Sequence, residues 1–162
     1  MRKLTRFLAI IGMMTFGLNL LWENIQCRLF FIHAVDHCRW FMVGAALGDV
    51  LLTLAAWYFL AFLVGDLLWF TKNWDLSQWI GMETIGVILA LTAEVFALTT
   101  NRWAYTTLNP LIPILSVSLI PVLQLIMIFP LIFIVGGKVF KQLEKKSDLG
   151  VGNENGTGFK NY

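Results

Sequence analysis

Charge is what this chain has least of: only 14% of its 162 residues are Asp, Glu, Lys or Arg, against 58% hydrophobic, and its mean hydropathy is +0.73. A chain this apolar cannot clothe a core in polar surface, so its expected solvent is the bilayer. A basic patch interleaved with aromatics is also missing. The net charge is +2, and lysines and arginines gather at the ends of apolar runs and at the termini, which argues against a nucleic-acid partner. Cysteine is scarce, and Cys27 and Cys38 fit neither a zinc or redox spacing nor a disulfide scaffold. Met1 to Arg6 followed by an apolar run from Phe7 looks like a secretory signal, but the run ends in Leu21-Trp22-Glu23 without a small-x-small cleavage pattern. It reads as a retained first helix. No internal repeat suggests symmetry.

What the chain does have is four apolar runs. They predict an all-α fold, a polytopic four-transmembrane-helix bundle, in one domain over 1–146, with helices at about 5–26, 40–65, 79–99 and 111–137. Residues 147–162, ending in a Gly- and Asn-rich stretch, cannot bury a core and predict a disordered polar tail. Helix one reaches about 20 residues only if Thr5 or the Glu23 to Gln26 turn joins it. Asp49 lies about ten residues into the second run, near mid-bilayer at 1.5 Å per residue. The third carries Glu83 near its start and Glu94 deeper. The fourth is uncharged but holds Pro113, Pro121, Gln124 and Pro130, which predicts a kinked helix. Arg2, Lys3, Arg6, Lys72, Lys138, Lys141, Lys145 and Lys146 fall on one side of the membrane, and Arg28, Arg39 and Arg102 on the other. The positive-inside rule then expects both termini in the cytoplasm, with the tryptophans mostly flanking the spans as an aromatic belt.

Each ionisable residue within a span costs about 2.5 to 3.5 kcal/mol even on lenient insertion scales, so something must offset Asp49 and Glu94. Asn19, Glu23 and Gln26 stand at i, i+4 and i+7 and predict a polar stripe on the last turns of helix one. Gly44 and Gly48 form a small-x-x-x-small face beside Asp49, with Thr53 one turn on, and predict close backbone approach to a neighbour. Glu83, Val87, Ala90, Glu94 and Asn101 are read along one face of helix three. Connectivity puts the end of helix one, the start of two, the end of three and the start of four on the same side. Glu23, Gln26, His33, Asp36, His37, Asp49, Glu94, Arg102, Trp103 and Tyr105 therefore share one half of the protein, the outer half by the orientation above. Glu83 is the comparable acid of the other half.

Three chemistries compete for this cluster. A divalent metal such as zinc or iron could take His33, Asp36, His37 and Cys38 of the first loop, with Glu23 or Asp49. His33 and His37 would share a face only if that connection were helical, and the general base of a His-Glu-x-x-His site is absent. No other cofactor is expected. Acid/base work is the second: one of Glu23, Asp49 and Glu94, kept neutral by the low dielectric, donates a proton to an alkene or epoxide of a lipid-like substrate. In that reading these three are the candidate catalytic residues, and Asn19, Gln26, Arg102, Trp103, Tyr105 and Gln124 bind the substrate. The third is packing alone, with Glu94 paired to Arg102, or Asp49 bonded to Thr53 and Gln124. Arg102-Trp103-x-Tyr105 is equally an interfacial anchor.

At Trp22-Glu23-x-x-Gln26, Gly48-Asp49, Glu94 with Arg102-Trp103-x-Tyr105, Asn109-Pro110 and Pro121-x-x-Gln124, the chain resembles a family of small uncharacterised bacterial four-helix membrane proteins. Asn109-Pro110 stands where that family's pattern has Met-Pro. The resemblance covers most of the chain before the tail and implies a bacterial inner membrane and a polar intramembrane site, with no activity to carry over. The expected partners are membrane lipids and a hydrophobic small molecule, such as a lipid or isoprenoid, bound or modified in the bundle. The alternative is a small transport or accessory protein whose carboxylates carry a proton or ion, or hold a partner helix. Four helices are few for a transporter, so that version would call for a homo-oligomer.

Overall fold

The computed structural model describes residues 2–33 and 38–154. In chain order these are α1 (Arg2–Phe30), β1 (Phe31–His33), α2 (Cys38–Val64), a 3-10 turn (Trp69–Thr71), α3 (Leu76–Thr99), β2 (Trp103–Tyr105), β3 (Leu111–Ile112), β4 (Val117–Ser118) and α4 (Leu119–Glu154). All four α-helices are long and apolar enough to cross a bilayer, over Lys3–Cys27, Trp40–Val64, Leu76–Thr99 and Leu119–Ser147. Met13, Leu51, Phe62, Ile80, Ile88 and Met127 stand exposed on their outer faces, as lipid-facing side chains do. The chain is a multi-pass, four-helix membrane protein.

α1 packs against both α2 and α4, and α3 packs against α4, whereas α2 and α3 meet only sparsely. The two ends of the bundle are built differently. At the end holding the 3-10 turn, that connection folds back into the bundle and buries Trp69 and Phe70. Phe7 stacks on Phe70 with ring centroids 3.8 Å apart, and Trp69 lies 5.3 Å from Phe133 and 5.0 Å from Trp74. Close approach here needs a residue without a side chain. A Cβ on Gly137 would lie 2.9 Å from the Phe70 carbonyl oxygen. Lys3 and Arg6 of α1 each reach Glu144 of α4 at 2.8 Å, tying the first helix to the last.

Local signals fix the helix ends at this side. Gly65, at φ +72°, ends α2 in the left-handed conformation, and the Asp66 N–H donates to the Ala61 carbonyl at 3.1 Å. Lys72 beside Asp66, at 2.6 Å, and then the Leu68 N–H hold the Asp66 carboxyl below its usual range. Asp75 opens α3 with a capping box: its side chain accepts from the Gln78 N–H at 2.8 Å, and its own N–H donates to the Gln78 side chain.

The other end carries four short strands. β1 pairs antiparallel with β2, Phe31 opposite Tyr105 and His33 opposite Trp103, and β3 pairs with β4 as a hairpin. This corrects the fourth helix, which begins at Leu119 rather than 111. Pro113 lies in the β3–β4 turn, where the Leu115 N–H donates to the Ile112 carbonyl at 3.2 Å and Ser116 takes φ 52°. Proline's fixed φ and missing N–H suit the second position of such a turn. Pro130 does lie inside α4. The first helix starts and ends beyond the expected 5–26, and the third begins at Leu76 rather than 79. α4 continues as helix to Glu154, past residue 146 where composition begins the tail, and 155–162 lie outside the described residues.

Candidate intramembrane site

The strand-bearing end encloses a cavity of about 450 Å³ between α2 and α3, where those helices fail to close on each other. Its inner wall is polar and comes from all four helices. Glu23 and Gln26 arrive from α1, Asp49 from α2, Glu94 from α3 and Gln124 from α4. The rest is small or apolar, with Gly44, Ala45 and Gly48 facing Ala90, Ala93 and Ala97. The mouth is marked by exposed Trp40, Gly44, Phe96 and Arg102. Gly44 and Gly48 thus do not mediate close helix packing as their spacing predicts. A Cβ on either would meet nothing within 4 Å, so these glycines make room.

Gln124 is the hub of the wall. Its amide nitrogen donates to Asn19 Oδ1 at 2.8 Å and to Asp49 Oδ2 at 3.3 Å, using both of its hydrogens. Its oxygen accepts from the Gln26 amide at 3.4 Å, and that same nitrogen donates to Glu23 Oε1 at 2.8 Å. The Trp22 indole N–H holds Gln26 from behind, at 2.8 Å to Oε1. A continuous hydrogen-bonded chain therefore joins Glu23 to Asp49 across three helices. The i, i+4, i+7 stripe of α1 lies where its period puts it, with Asn19 and Gln26 buried and Glu23 half-buried. Asn19 sits behind Gln124, donates to the Thr15 carbonyl at 2.9 Å, and is not part of the cavity lining.

Glu94 is held separately, by the chain that follows its own helix. α3 ends with Asn101 in the left-handed conformation, φ 53°, and with N–H bonds from Arg102 to Ala97 and from Asn101 to Leu98, at 2.9 and 3.2 Å. This Schellman closure turns the backbone back over the helix end. In the strand that follows, residues two apart share a face, so Trp103 and Tyr105 both turn toward α3 while Ala104 is exposed. Tyr105 donates to Glu94 Oε2 at 2.5 Å, and the Trp103 indole reaches the same oxygen at 3.4 Å. The Tyr105 hydroxyl in turn accepts from the Ser118 N–H at 3.0 Å, which locks the β3–β4 hairpin to the site. Burial, and next the hydrogen bond to Glu94, push the Tyr105 hydroxyl well above its ordinary titration range. Glu94 itself is 1% exposed, lines the cavity, and its Oε1 has no hydrogen-bond partner among the described residues.

Two expected pairings are absent. Arg102 does not pair with Glu94; its guanidinium lies 5.0 Å above the Phe96 ring, and no ion pair involves it among the described residues. Thr53 donates to the backbone carbonyl of Asp49, at 2.7 Å, leaving the carboxyl to Gln124. The buried stripe of α3 is Met82, Gly86, Ala90, Glu94 and Ala97; Glu83 and Val87 are only half-buried and Asn101 is exposed. Glu83 Oε2, at the opposite end, lacks a hydrogen-bond partner too. Of the first-loop metal candidates, Asp36 and His37 lie outside the described residues. His33 belongs to β1, so the helical spacing that would align it with His37 does not hold at that residue. Among the described residues no group of His, Cys, Asp and Glu is arranged to hold a metal.

The cavity also uses residues that sequence reasoning passed over, chiefly Trp40, Phe41, Ala93 and Phe96. Their only sequence signal is small or aromatic character at span ends, which packing and interfacial anchoring explain equally well. Compared with known protein families, curated proteins and solved structures, the chain matches none.

Proposed function

We propose that the protein takes a lipid-like or isoprenoid molecule from the bilayer into this cavity and binds it there, or modifies it by proton transfer. One observation carries the reading: a cavity within the membrane-spanning region has small apolar walls, a side opening between helices, and three carboxyls converging on it. Such a site accepts a tail from lipid and presents polar groups to a head. Glu23, Asp49 and Glu94 are the candidate reacting groups, with Glu94 Oε1 an oxygen that no donor among the described residues occupies. Gln26, Gln124, Arg102 and Trp103 would contact the ligand, while Asn19 and Tyr105 position Gln124 and Glu94.

The conduit alternative has less support. The opposite end of the bundle is filled by Phe7, Trp69, Phe70, Phe133 and Phe140, a packed aromatic core that gives no support to a continuing proton or ion path. We place the protein in a bacterial inner membrane, with both termini and the 3-10 turn cytoplasmic and the cavity toward the outside. The family resemblance and the gathering of Lys3, Arg6, Lys72, Lys138, Lys141, Lys145 and Lys146 at one end support this.

The test is mass spectrometry of lipids retained by the purified protein, comparing wild type with Gly48→Leu, which adds bulk into open space. Loss of a specific molecule from the variant at unchanged melting temperature supports the cavity as the site. Equal retention by both proteins would sink it.

A further inference from the structure

The cavity wall is rich in acceptors and poor in positive charge. The hydrogen bonds seen on its three carboxyls come from amide, indole and phenol donors, and among the described residues none forms an ion pair with a lysine or arginine. Leaving carboxylates in this state at membrane depth is costly, and the cost falls if the occupant brings a cation. At the mouth the arrangement reverses. Arg102 presents a guanidinium with no anionic partner among the described residues, and its planar donors match a phosphate. The two ends of the cavity are thus charged in opposite senses, acidic inside and basic at the rim.

Resting on the cavity reading above, we infer that the occupant is a zwitterionic membrane phospholipid with a primary ammonium head, of the phosphatidylethanolamine type, entering ammonium first. An ammonium offers three N–H donors to the carboxyl end, where Glu94 Oε1 stands buried and unpartnered. The phosphate then falls at the rim beside Arg102. The volume, about 450 Å³, is equivalent to roughly fifteen waters. That accommodates a headgroup and glycerol but not two acyl chains, which leave between α2 and α3 past Gly44 and Phe96. A quaternary choline head keeps the charge but has no N–H to give. A phosphatidylglycerol head brings no cation at all.

The experiment is a native mass spectrometry titration of the full-length protein with four lipids of matched chains: phosphatidylethanolamine, phosphatidylcholine, phosphatidylglycerol and diacylglycerol. Wild type is expected to prefer the ethanolamine lipid over the glycerol lipid by roughly tenfold, the scale of one hydrogen bond to a charged group. The choline lipid should fall between. Glu94→Gln and Asp49→Asn should each reduce that preference, and Arg102→Gln should weaken all three phospholipids while leaving diacylglycerol unchanged. Equal binding of the ethanolamine and glycerol lipids by wild type overturns the assignment, and that comparison needs no variant to fold. So does a preference that survives both carboxyl substitutions in proteins with wild-type melting temperatures. If no lipid binds wild type more tightly than it binds Gly48→Leu, the cavity itself is not a lipid site, a different failure with a different signature.

Discussion

Tyr105 donates its hydroxyl to one carboxyl oxygen of Glu94 at 2.5 Å, and the other oxygen of that carboxyl is buried with no partner among the described residues. The phenol positions the acid through one oxygen and leaves the other, on the cavity wall, without a donor among the described residues. Because the same hydroxyl accepts the Ser118 N–H, its removal orphans groups on two elements. Tyr105→Phe should therefore lower stability by about 1–3 kcal/mol, the cost of leaving a buried polar group unsatisfied. Unfolding in mixed micelles by detergent titration measures this, with Tyr58→Phe, an exposed tyrosine, as the neutral control.

Gln124 joins α1, α2 and α4 through its single amide. Gln124→Leu keeps the volume but strands Asn19 Oδ1, Asp49 Oδ2 and the Gln26 N–H together. A loss of about 1–3 kcal/mol is expected, and Gln124→Glu should not restore it, since a carboxylate cannot donate to Asn19 and Asp49. The same titration reads both variants, and a Glu variant as stable as wild type would refute the donor role.

At the aromatic end the decisive position is Gly137. Gly137→Ala forces a methyl against the Phe70 carbonyl, which is backbone and cannot rotate away, so about 1–3 kcal/mol should be lost to overpacking. Gly136→Ala clashes with the terminal methyl of Ile11, the far end of a flexible side chain that can move, and should cost less. Gly12→Ala, with open space around it, should cost nothing measurable.

Acid should act on α3 through its cap. The Gln78 N–H, and next the Ser77 hydroxyl, hold the Asp75 carboxyl below its ordinary value of 3.8. A depressed folded value means the cap stabilises fully above the unfolded value and fades as pH falls through the folded one. Melting temperatures of wild type and Asp75→Asn, taken from neutral pH downward, should show wild type losing ground below about pH 4. The asparagine cap does not titrate, so the variant should lose less over the same range, and the difference between the two proteins isolates the cap from the acid response of Asp66 and Glu144.

Orientation is open to direct labelling. In a Cys38→Ser background, Ile114→Cys at the tip of the β3–β4 turn, 94% exposed, should react with an impermeant maleimide on intact cells. Asn73→Cys, in the connection at the opposite end, should react only after permeabilisation. The reverse pattern would invert the topology proposed here.

The spans and the polar wall were legible in the sequence for the same reason: the bilayer penalises polar groups so heavily that each must have a purpose. Asn19, Glu23, Gln26, Asp49, Glu94 and Gln124 stood out against apolar neighbours, and connectivity alone put Glu23, Gln26, Asp49 and Glu94 in one half of the protein. What stayed hidden was geometry that hydropathy does not encode. β1 to β4 are two or three residues long, too short to show a period. Leu111 to Leu115 is as apolar as a helix start, and only Pro113 with Ser116 makes it a turn. Gly44 and Gly48 carry a spacing that serves contact or clearance equally, and nothing local decides between them. The pairing of Glu94 with Tyr105 rather than Arg102 follows from the left-handed Asn101, which redirects the strand after it.

One consequence of the β1–β2 pairing concerns biosynthesis. Phe31 and Tyr105 are partners across about seventy residues of chain. At about 5 to 20 residues per second, a ribosome takes roughly 4 to 15 seconds to supply the second strand after the first. α2 is made within that interval, after which Glu23 and Asp49 wait in the membrane without Gln124. The cavity lining is complete in the chain only at Leu125, after the first three helices and before Phe133, Gly137 and Phe140 of the aromatic end.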